Sequence, residues 1–250
     1  MNEKAAVLRD LHRPGDPLIL PNVWDAGSAA VVAEAGFPAL ATASAAIAAM
    51  LGYPDHEGAP AAEMFAAAAR VIRAVDVPVT VDAEAGYGLP AAELVERLAE
   101  IGAAGCNLED SDHAAGAMVD ASAQADRIAS VRAAAKDAGV DLVINARVDA
   151  YVRNAPDPLA ETLDRGRRYL DAGADCIYPI MVSDADHIAT LVRELPGPVN
   201  TNCLPGMTPL PRLIELGVAR ISLGPLPYIQ ALDALKALAT RLAARQDPYA

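Results

Sequence analysis

The sequence predicts an eight-stranded parallel α/β barrel, a (β/α)8 or TIM barrel, filling residues 1–250 as a single domain. Three observations predict it. Short apolar runs of strand length alternate with helical stretches eight times, with no linker-like or low-complexity stretch between them. Three helices run into similar Gly-then-apolar junctions, Glu34-Ala35-Gly36, Asp171-Ala172-Gly173 and Glu215-Leu216-Gly217, which is the loop chemistry that returns a helix to a strand. Hydrophobic residues make up 53% of the chain, enough for a sizeable core, while 4% aromatics leave helix–sheet packing to Ala, Val, Leu and Ile.

In chain order, Leu18–Trp24 reads as the first strand, and Asp25-Ala26-Gly27-Ser28 opens a helix that closes at Gly36. Ala39–Ser44 is the second strand; it leads into a loop over Leu51–Gly58 and an Ala-rich helix over 60–74. Val77–Glu84 is the third, and Pro90 starts a helix that ends at Gly102. Gly105–Asp110 is the fourth, followed by a longer loop and a helix over 122–138 closed by Gly139. Leu142–Asp149 is the fifth; after Pro156 and Pro158 its helix runs to Gly173. Cys176–Ile180, Val199–Cys203 and Arg220–Gly224 complete the strands, with helices over 184–195, 208–216 and 227–244.

The net charge of −13 and pI near 4.6 argue against nucleic acid or an anionic membrane as partner. An anionic substrate would need a metal or a placed arginine to enter that field. Cys106, Cys176 and Cys203 are far apart and form no C-x-x-C pair, which suggests a reducing compartment and no disulfide framework. No apolar leader follows Met1, and the most apolar stretch, 37–53, is interrupted by Pro38, Thr42, Ser44 and Gly52. The expectation is a cytoplasmic protein.

Polar residues mark the strand ends. In Val79-Thr80-Val81-Asp82-Ala83-Glu84-Ala85-Gly86-Tyr87-Gly88, the i, i+2 spacing on a strand would point Asp82 and Glu84 to one face. Two like charges about 4 Å apart cost about 1 kcal/mol in water and about 4 kcal/mol near a protein surface, and a divalent metal relieves that repulsion. A hydrated strand end with two surface acids is the alternative. Similar rows recur as Asn22, Thr42 with Ser44, Asn107 with Glu109, Asn145 with Arg147 and Asp149, Asn200 with Asn202, and Ser222. Parallel strands covered on both faces are otherwise near-continuously apolar. The rows therefore predict a shared polar pocket at the C-terminal mouth of the barrel.

Four stretches carry a family resemblance: Leu51-Gly52-Tyr53-Pro54-Asp55, Val81 to Gly88, Leu108-Glu109-Asp110, and Ile144-Asn145-Ala146-Arg147-Val148-Asp149-Ala150-Tyr151. In this order the chain resembles the isocitrate lyase/phosphoenolpyruvate mutase superfamily over nearly its whole length. The resemblance implies a Mg²⁺-dependent barrel acting on small α-keto or 2-hydroxy carboxylic acids, breaking or forming C–C or P–C bonds through a metal-stabilised enolate. It also implies a homodimer that exchanges the last helix, or a homotetramer built from such dimers. By the same resemblance, Asp82 holds the metal with Glu84 and Glu109 as acidic partners, and Arg147 binds and acts on the substrate. Thr42 and Ser44 match the turn that holds the substrate carboxylate, Asn202 is a further substrate contact, and Asp55 matches an acid of a closing loop. Arg147 read without the resemblance is a buried ion pair with Asp149 or Glu109.

The chain also departs from its relatives. After the fourth strand it carries Glu109-Asp110-Ser111-Asp112-His113-Ala114-Ala115-Gly116-Ala117, with neither the Lys-Lys-Cys-Gly-His loop of the lyases nor the longer Lys-, Asn- and Ser-bearing loop of the mutases. His113 is the one group in this loop whose ordinary pKa suits proton transfer near neutrality, and it is the candidate acid/base. The resulting expectation is a Mg²⁺-dependent C–C bond lyase of decarboxylase or retro-aldol type. The alternatives are a phosphonopyruvate-type P–C hydrolase or mutase, and a non-catalytic keto-acid-binding barrel.

Overall fold

The computed structural model describes residues 2–249. Its strands are β1 (Leu18–Leu20 continuing as Asn22–Val23), β2 (Leu40–Thr42), β3 (Val79–Asp82), β4 (Gly105–Glu109), β5 (Val143–Val148), β6 (Cys176–Pro179), β7 (Asn200–Asn202) and β8 (Arg220–Ser222). All pair in parallel with their sequence neighbours. Pro21 lacks an N–H and splits β1, so that Leu18–Leu20 pair with β8 while Asn22–Val23 pair with β2. The β6–β7 seam is the single bridge Ile177↔Val199, with Ile177 N–H donating to Pro198 O at 2.9 Å. The strands thus form two parallel sheets that meet at the split β1 and at this bridge, in the barrel order the eightfold alternation predicts.

The helices are α1 (Asn2–Asp10), α2 (Ala26–Glu34), α3 (Ser44–Leu51), α4 (Ala61–Arg73), α5 (Ala91–Ile101), α6 (Ala121–Asp137), α7 (Pro158–Asp171), α8 (Ala185–Glu194), α9 (Leu210–Glu215) and α10 (Leu226–Ala243). Eight of them follow the expected positions within a few residues. Helix α1 was not foreseen; it is short and buries only Ala5 and Leu8. Leu8 packs with Leu18, Leu20, Ala41 and Val143 across the N-terminal end of the barrel. Arg9 fixes the helix there, forking onto Asp141 at 2.8 and 2.6 Å and reaching Asp175 at 2.8 Å.

Helix α3 corrects the expected second strand and loop. The strand stops at Thr42, and Ser44 begins a helix that Gly52 closes at φ 87°. Ala43 offers no side-chain cap to this helix. The cap comes from β3 instead: Asp82 Oδ2 accepts from the Ser44 N–H at 3.0 Å and from Ser44 Oγ at 2.8 Å. A second correction concerns Glu84. Strand β3 ends at Asp82, and Glu84 sits in a turn at φ 50°, so the alternation argument does not orient it. Gly86 allows this turn: at φ 96°, an added Cβ would lie 2.8 Å from Arg127 Nη2.

After β4 the chain forms a two-residue antiparallel ribbon, Ser111–Asp112 against Ala117–Met118, before α6. At the other extreme, α10 has no buried residue, and Ile229, Leu232, Leu235 and Leu242 are large apolar side chains left exposed. Among the described residues no helix is long and apolar enough to cross a membrane.

Candidate active site

A cavity of about 210 Å³ opens at the C-terminal ends of the strands. Its walls include Ser44, Asp55, Asp82, Glu84, Glu109, Arg147 and Asn202, which are seven of the nine residues singled out in the sequence. Thr42 and His113 stand just behind it.

Asp82 is the most completely positioned of the acids. Its backbone N–H donates to Thr42 Oγ1 at 2.8 Å, and its Oδ2 carries the two Ser44 hydrogen bonds. Its Oδ1 has only a long 3.4 Å contact from Asn107 Nδ2. Asn107 is itself oriented, because its Oδ1 accepts from Asn145 Nδ2 at 2.8 Å and from Arg220 Nη2 at 3.2 Å. Thr42 and Ser44, expected at the substrate carboxylate, here serve Asp82. The Ser44 N–H that would meet a substrate is taken by a helix-capping carboxylate.

Glu84 is held from the neighbouring loops. Its Oε2 accepts from the Glu57 N–H at 2.5 Å and its Oε1 from the Tyr87 hydroxyl at 3.1 Å, while Glu57 Oε1 accepts from the Tyr87 N–H at 2.5 Å. The two loops are clasped to each other, and His56, Glu57, Glu84 and Tyr87 all take positive φ in doing so. Burial pushes the Glu84 carboxyl up to about 7, and the nearby charge of Asp82 pushes the same way.

Such a group stabilises the fold most below its unfolded value, and that contribution is lost as pH rises through the folded value near 7. Glu84→Gln should therefore melt a few degrees higher than the natural protein at pH 8 and show a flatter stability profile between pH 5 and 8, read by thermal unfolding across that range. Unchanged profiles would contradict the burial argument.

Arg147 carries both of its expected ion pairs at once. Its Nε and Nη2 fork onto Asp149 at 2.6 and 3.0 Å, and its Nη1 pairs with Glu109. Asp149 is backed by the Ser111 hydroxyl at 2.5 Å, and its N–H donates to Asp110 Oδ1 at 2.9 Å. Three of the five guanidinium N–H groups are thus engaged, which leaves two for a ligand. Burial raises the Glu109 carboxyl against the opposing pull of Arg147.

His113 Nε2 lies 2.6 Å from Glu109 Oε1, an ionic contact off the angle of a good hydrogen bond. That contact raises the His113 pKa, and the ring lies 5.0 Å from the ring of His56. The histidine is not a free surface residue, yet it faces Glu109 rather than the cavity. Asp55 lines the cavity from the loop that leaves α3.

Asn202 lines the cavity with both ends of its amide in use: Oδ1 accepts from the Met181 N–H at 3.0 Å and Nδ2 donates to the Tyr178 hydroxyl at 2.6 Å. The sequence reading missed Tyr178, Asn107 as an Asp82 partner, and Arg220. Asn107 was visible as the same-face neighbour of Glu109. Tyr178 and Arg220 were hidden because an aromatic in a strand reads as core and an arginine at the first position of a strand reads as surface.

Among the described residues no group of three or more His, Cys, Asp or Glu stands ready to hold a metal directly. Asp82, Glu84 and Glu109 do not form a cage, because Glu84 faces Glu57 and Tyr87 while Glu109 faces Arg147 and His113. The donor set does suit a hydrated Mg²⁺, which keeps several waters and takes one or two carboxylates. Asp82 Oδ1 has an oxygen to offer, and four carboxylates line a cavity whose one arginine is already paired.

The phosphoenolpyruvate phosphomutase family model matches residues 8–243. A crystal structure of a candidate phosphonomutase from Burkholderia cenocepacia J2315 superposes with a TM-score of 0.91 at 47% identity, covering 96% of this chain and 100% of that one. The 2-methylisocitrate lyase of Bacillus subtilis is 30% identical over 223 residues, 85% of this chain and 72% of that protein. The structure of 2,3-dimethylmalate lyase, a PEP mutase/isocitrate lyase superfamily member, superposes with a TM-score of 0.88 at 27% identity, covering 98% of this chain and 86% of that one. Barrel topology, the carboxylate-rich mouth and these matches over most of the chain agree. The protein belongs to the phosphoenolpyruvate phosphomutase family, within the isocitrate lyase/PEP mutase superfamily of lyases and mutases.

Proposed function

We propose that this cavity houses a Mg²⁺-dependent C–C bond lyase acting on a small α-keto or 2-hydroxy carboxylic acid. The observation that carries the reading is the arrangement of Asp82. Its Oδ2 is fixed by Ser44, and its Oδ1 is left toward a small cavity that Arg147 also lines. Magnesium, when bound, supplies a Lewis acid for the keto and carboxylate oxygens of the substrate.

The remaining work belongs to the chain. Arg147 offers its two unengaged N–H groups to the substrate carboxylate, while Asp149 and Glu109 hold its plane in place. Asp82, Glu84 and Glu109 supply the negative field that favours a cation at the mouth. The clasp between Glu57, Glu84 and Tyr87 holds Asp55 and His56 over one side of the cavity, which limits access of water.

Purified protein given oxaloacetate, 2-methylmalate-type acids or phosphonopyruvate, each with Mg²⁺ and with a chelator, tests the reading. We expect C–C cleavage of a keto or hydroxy acid that stops on chelation. P–C cleavage or transfer is the second reading, and the phosphomutase family match favours it. Turnover of phosphonopyruvate alone would establish that reading in place of ours. Binding of a keto acid with no product from any of them would instead support a non-catalytic barrel.

The same reading includes a homodimer or homotetramer. The exposed Ile229, Leu232, Leu235 and Leu242 of α10 suit exchange of this helix onto a second copy. Leu232→Asp with Leu235→Asp should reduce the mass in light scattering to that of one chain of 25.9 kDa. A natural protein already of that mass would contradict the exchange. Three free cysteines, two of them fully buried, accord with a reducing cytoplasm.

A further inference from the structure

The loop after β4 carries none of the proton-transfer groups that the resemblance would place there, and Tyr178 lines the cavity from another strand. It lies on β6 in register with Arg147 of β5, is 4% exposed, and lines the cavity. Its hydroxyl has one hydrogen-bond partner among the described residues, Asn202 Nδ2 at 2.6 Å.

The direction of that bond follows from the other end of the amide. Asn202 Oδ1 accepts from the Met181 backbone N–H at 3.0 Å, and a backbone N–H can only donate. The amide is therefore locked with its NH₂ toward Tyr178, so the tyrosine oxygen accepts and its own proton has no acceptor among the described residues. Burial pushes the phenol up to about 12, while the charge of Arg147 and the amide donor on its oxygen pull the other way and favour release of its proton. The rest of this wall, Ile180, Met181, Leu204 and Pro225, has no side-chain group that can donate a proton. His113 is turned to Glu109, Cys106 and Cys176 are sealed in the core, and His56, which also lines the cavity, sits on the loop after α3 with its ring 5.0 Å from that of His113.

We propose that Tyr178 is the proton donor of the reaction, delivering its hydroxyl proton to the substrate carbon that carries the enolate electron pair. The proposal rests on the lyase reading above for the enolate it protonates. The Tyr178 O–H bond breaks with its electron pair left on oxygen, and the enolate pair forms the new C–H bond of the keto acid. The phenolate is held by the Asn202 Nδ2–H and by the charge of Arg147 on the adjoining strand. Water then returns a proton to it and leaves hydroxide to the solvent. In reverse, the phenolate removes a proton from the carbon next to a keto group, so the protein should exchange such protons with solvent even where no C–C bond is cut.

The test follows the methyl protons of pyruvate by NMR in D₂O, with saturating pyruvate and Mg²⁺, for the natural protein, Tyr178→Phe and Asn202→Asp. We expect the natural protein to exchange, faster as pD rises, and Tyr178→Phe to exchange about 100-fold more slowly or worse. Asn202→Asp should be similarly slow with the tyrosine intact, because the new carboxylate accepts the hydroxyl proton and draws it from the cavity. It also carries the test should Tyr178→Phe fail to fold. Calorimetric binding of oxalate to Tyr178→Phe within about threefold of the natural value would show that proton transfer, not the site, was lost. No exchange by the natural protein, or near-natural exchange by either folded variant, would overturn the assignment. Failure of the lyase reading would be seen separately, as exchange without cleavage of any acid in the turnover screen.

Discussion

Arg147→Met should abolish turnover and destabilise the protein by about 3–5 kcal/mol. That is the cost of removing one partner from a buried ion cluster and stranding the others. The guanidinium is the common partner of Glu109 and Asp149, whose side chains are 2% and 1% exposed. Its loss leaves two buried carboxylates with no arginine between them and with His113 beside Glu109. Part of the penalty is relieved as one carboxyl takes up a proton, so the variant should be least stable at alkaline pH. Arg147→Lys separates charge from shape. An ammonium restores one positive charge but cannot fork onto Asp149 while pairing with Glu109, so stability should recover in part while turnover does not. Urea unfolding with steady-state rates on one acid from the screen reads both effects. A Lys variant with natural turnover would show that Arg147 contributes only its charge.

Asp82→Ala should reduce metal-dependent turnover by roughly 1,000-fold or more, as loss of a principal electrostatic contact does. It should also cost about 1 kcal/mol of stability, because the same carboxylate caps α3 through the Ser44 N–H. Asp82→Asn resolves the two effects. An amide oxygen can still accept from Ser44, so the fold should be nearly unaffected, but the charge that draws the cation is gone. We therefore expect Asn to be as inactive as Ala while melting close to the natural protein. Full turnover in either variant would mean the metal is held elsewhere.

The extent to which the sequence revealed this arrangement varies with the range of the interactions. The barrel was legible because each strand–helix unit announces itself locally: Gly102 and Gly36 end helices, Asp25 and Pro158 begin them, and the apolar runs between have strand length. Helix α3 was not, because Ala43 through Leu51 carries no cap of its own and its N-terminus is satisfied by Asp82, 38 residues away. The members of the site were legible as polar residues at strand ends. Their roles were less so. Glu84 was placed by an alternation that stops two residues before it, at Asp82, and it reaches the cavity through a turn with φ 50°. Asn202 reads as a ligand-facing amide until Met181 and Tyr178 are seen to occupy both of its ends. His113 reads from the sequence as the candidate acid/base of its loop, and its contact with Glu109 depends on the ribbon that folds the loop back.

Most of the proposed chemistry depends on a cation in front of Asp82. Crystals of the full chain soaked with oxalate and Mn²⁺ in place of Mg²⁺ would locate it by anomalous scattering. The account predicts one strong peak in the cavity within coordinating reach of Asp82 Oδ1, with oxalate between it and Arg147. Oxalate bound in the cavity with no peak beside Asp82, or a peak coordinated by other residues, would contradict it.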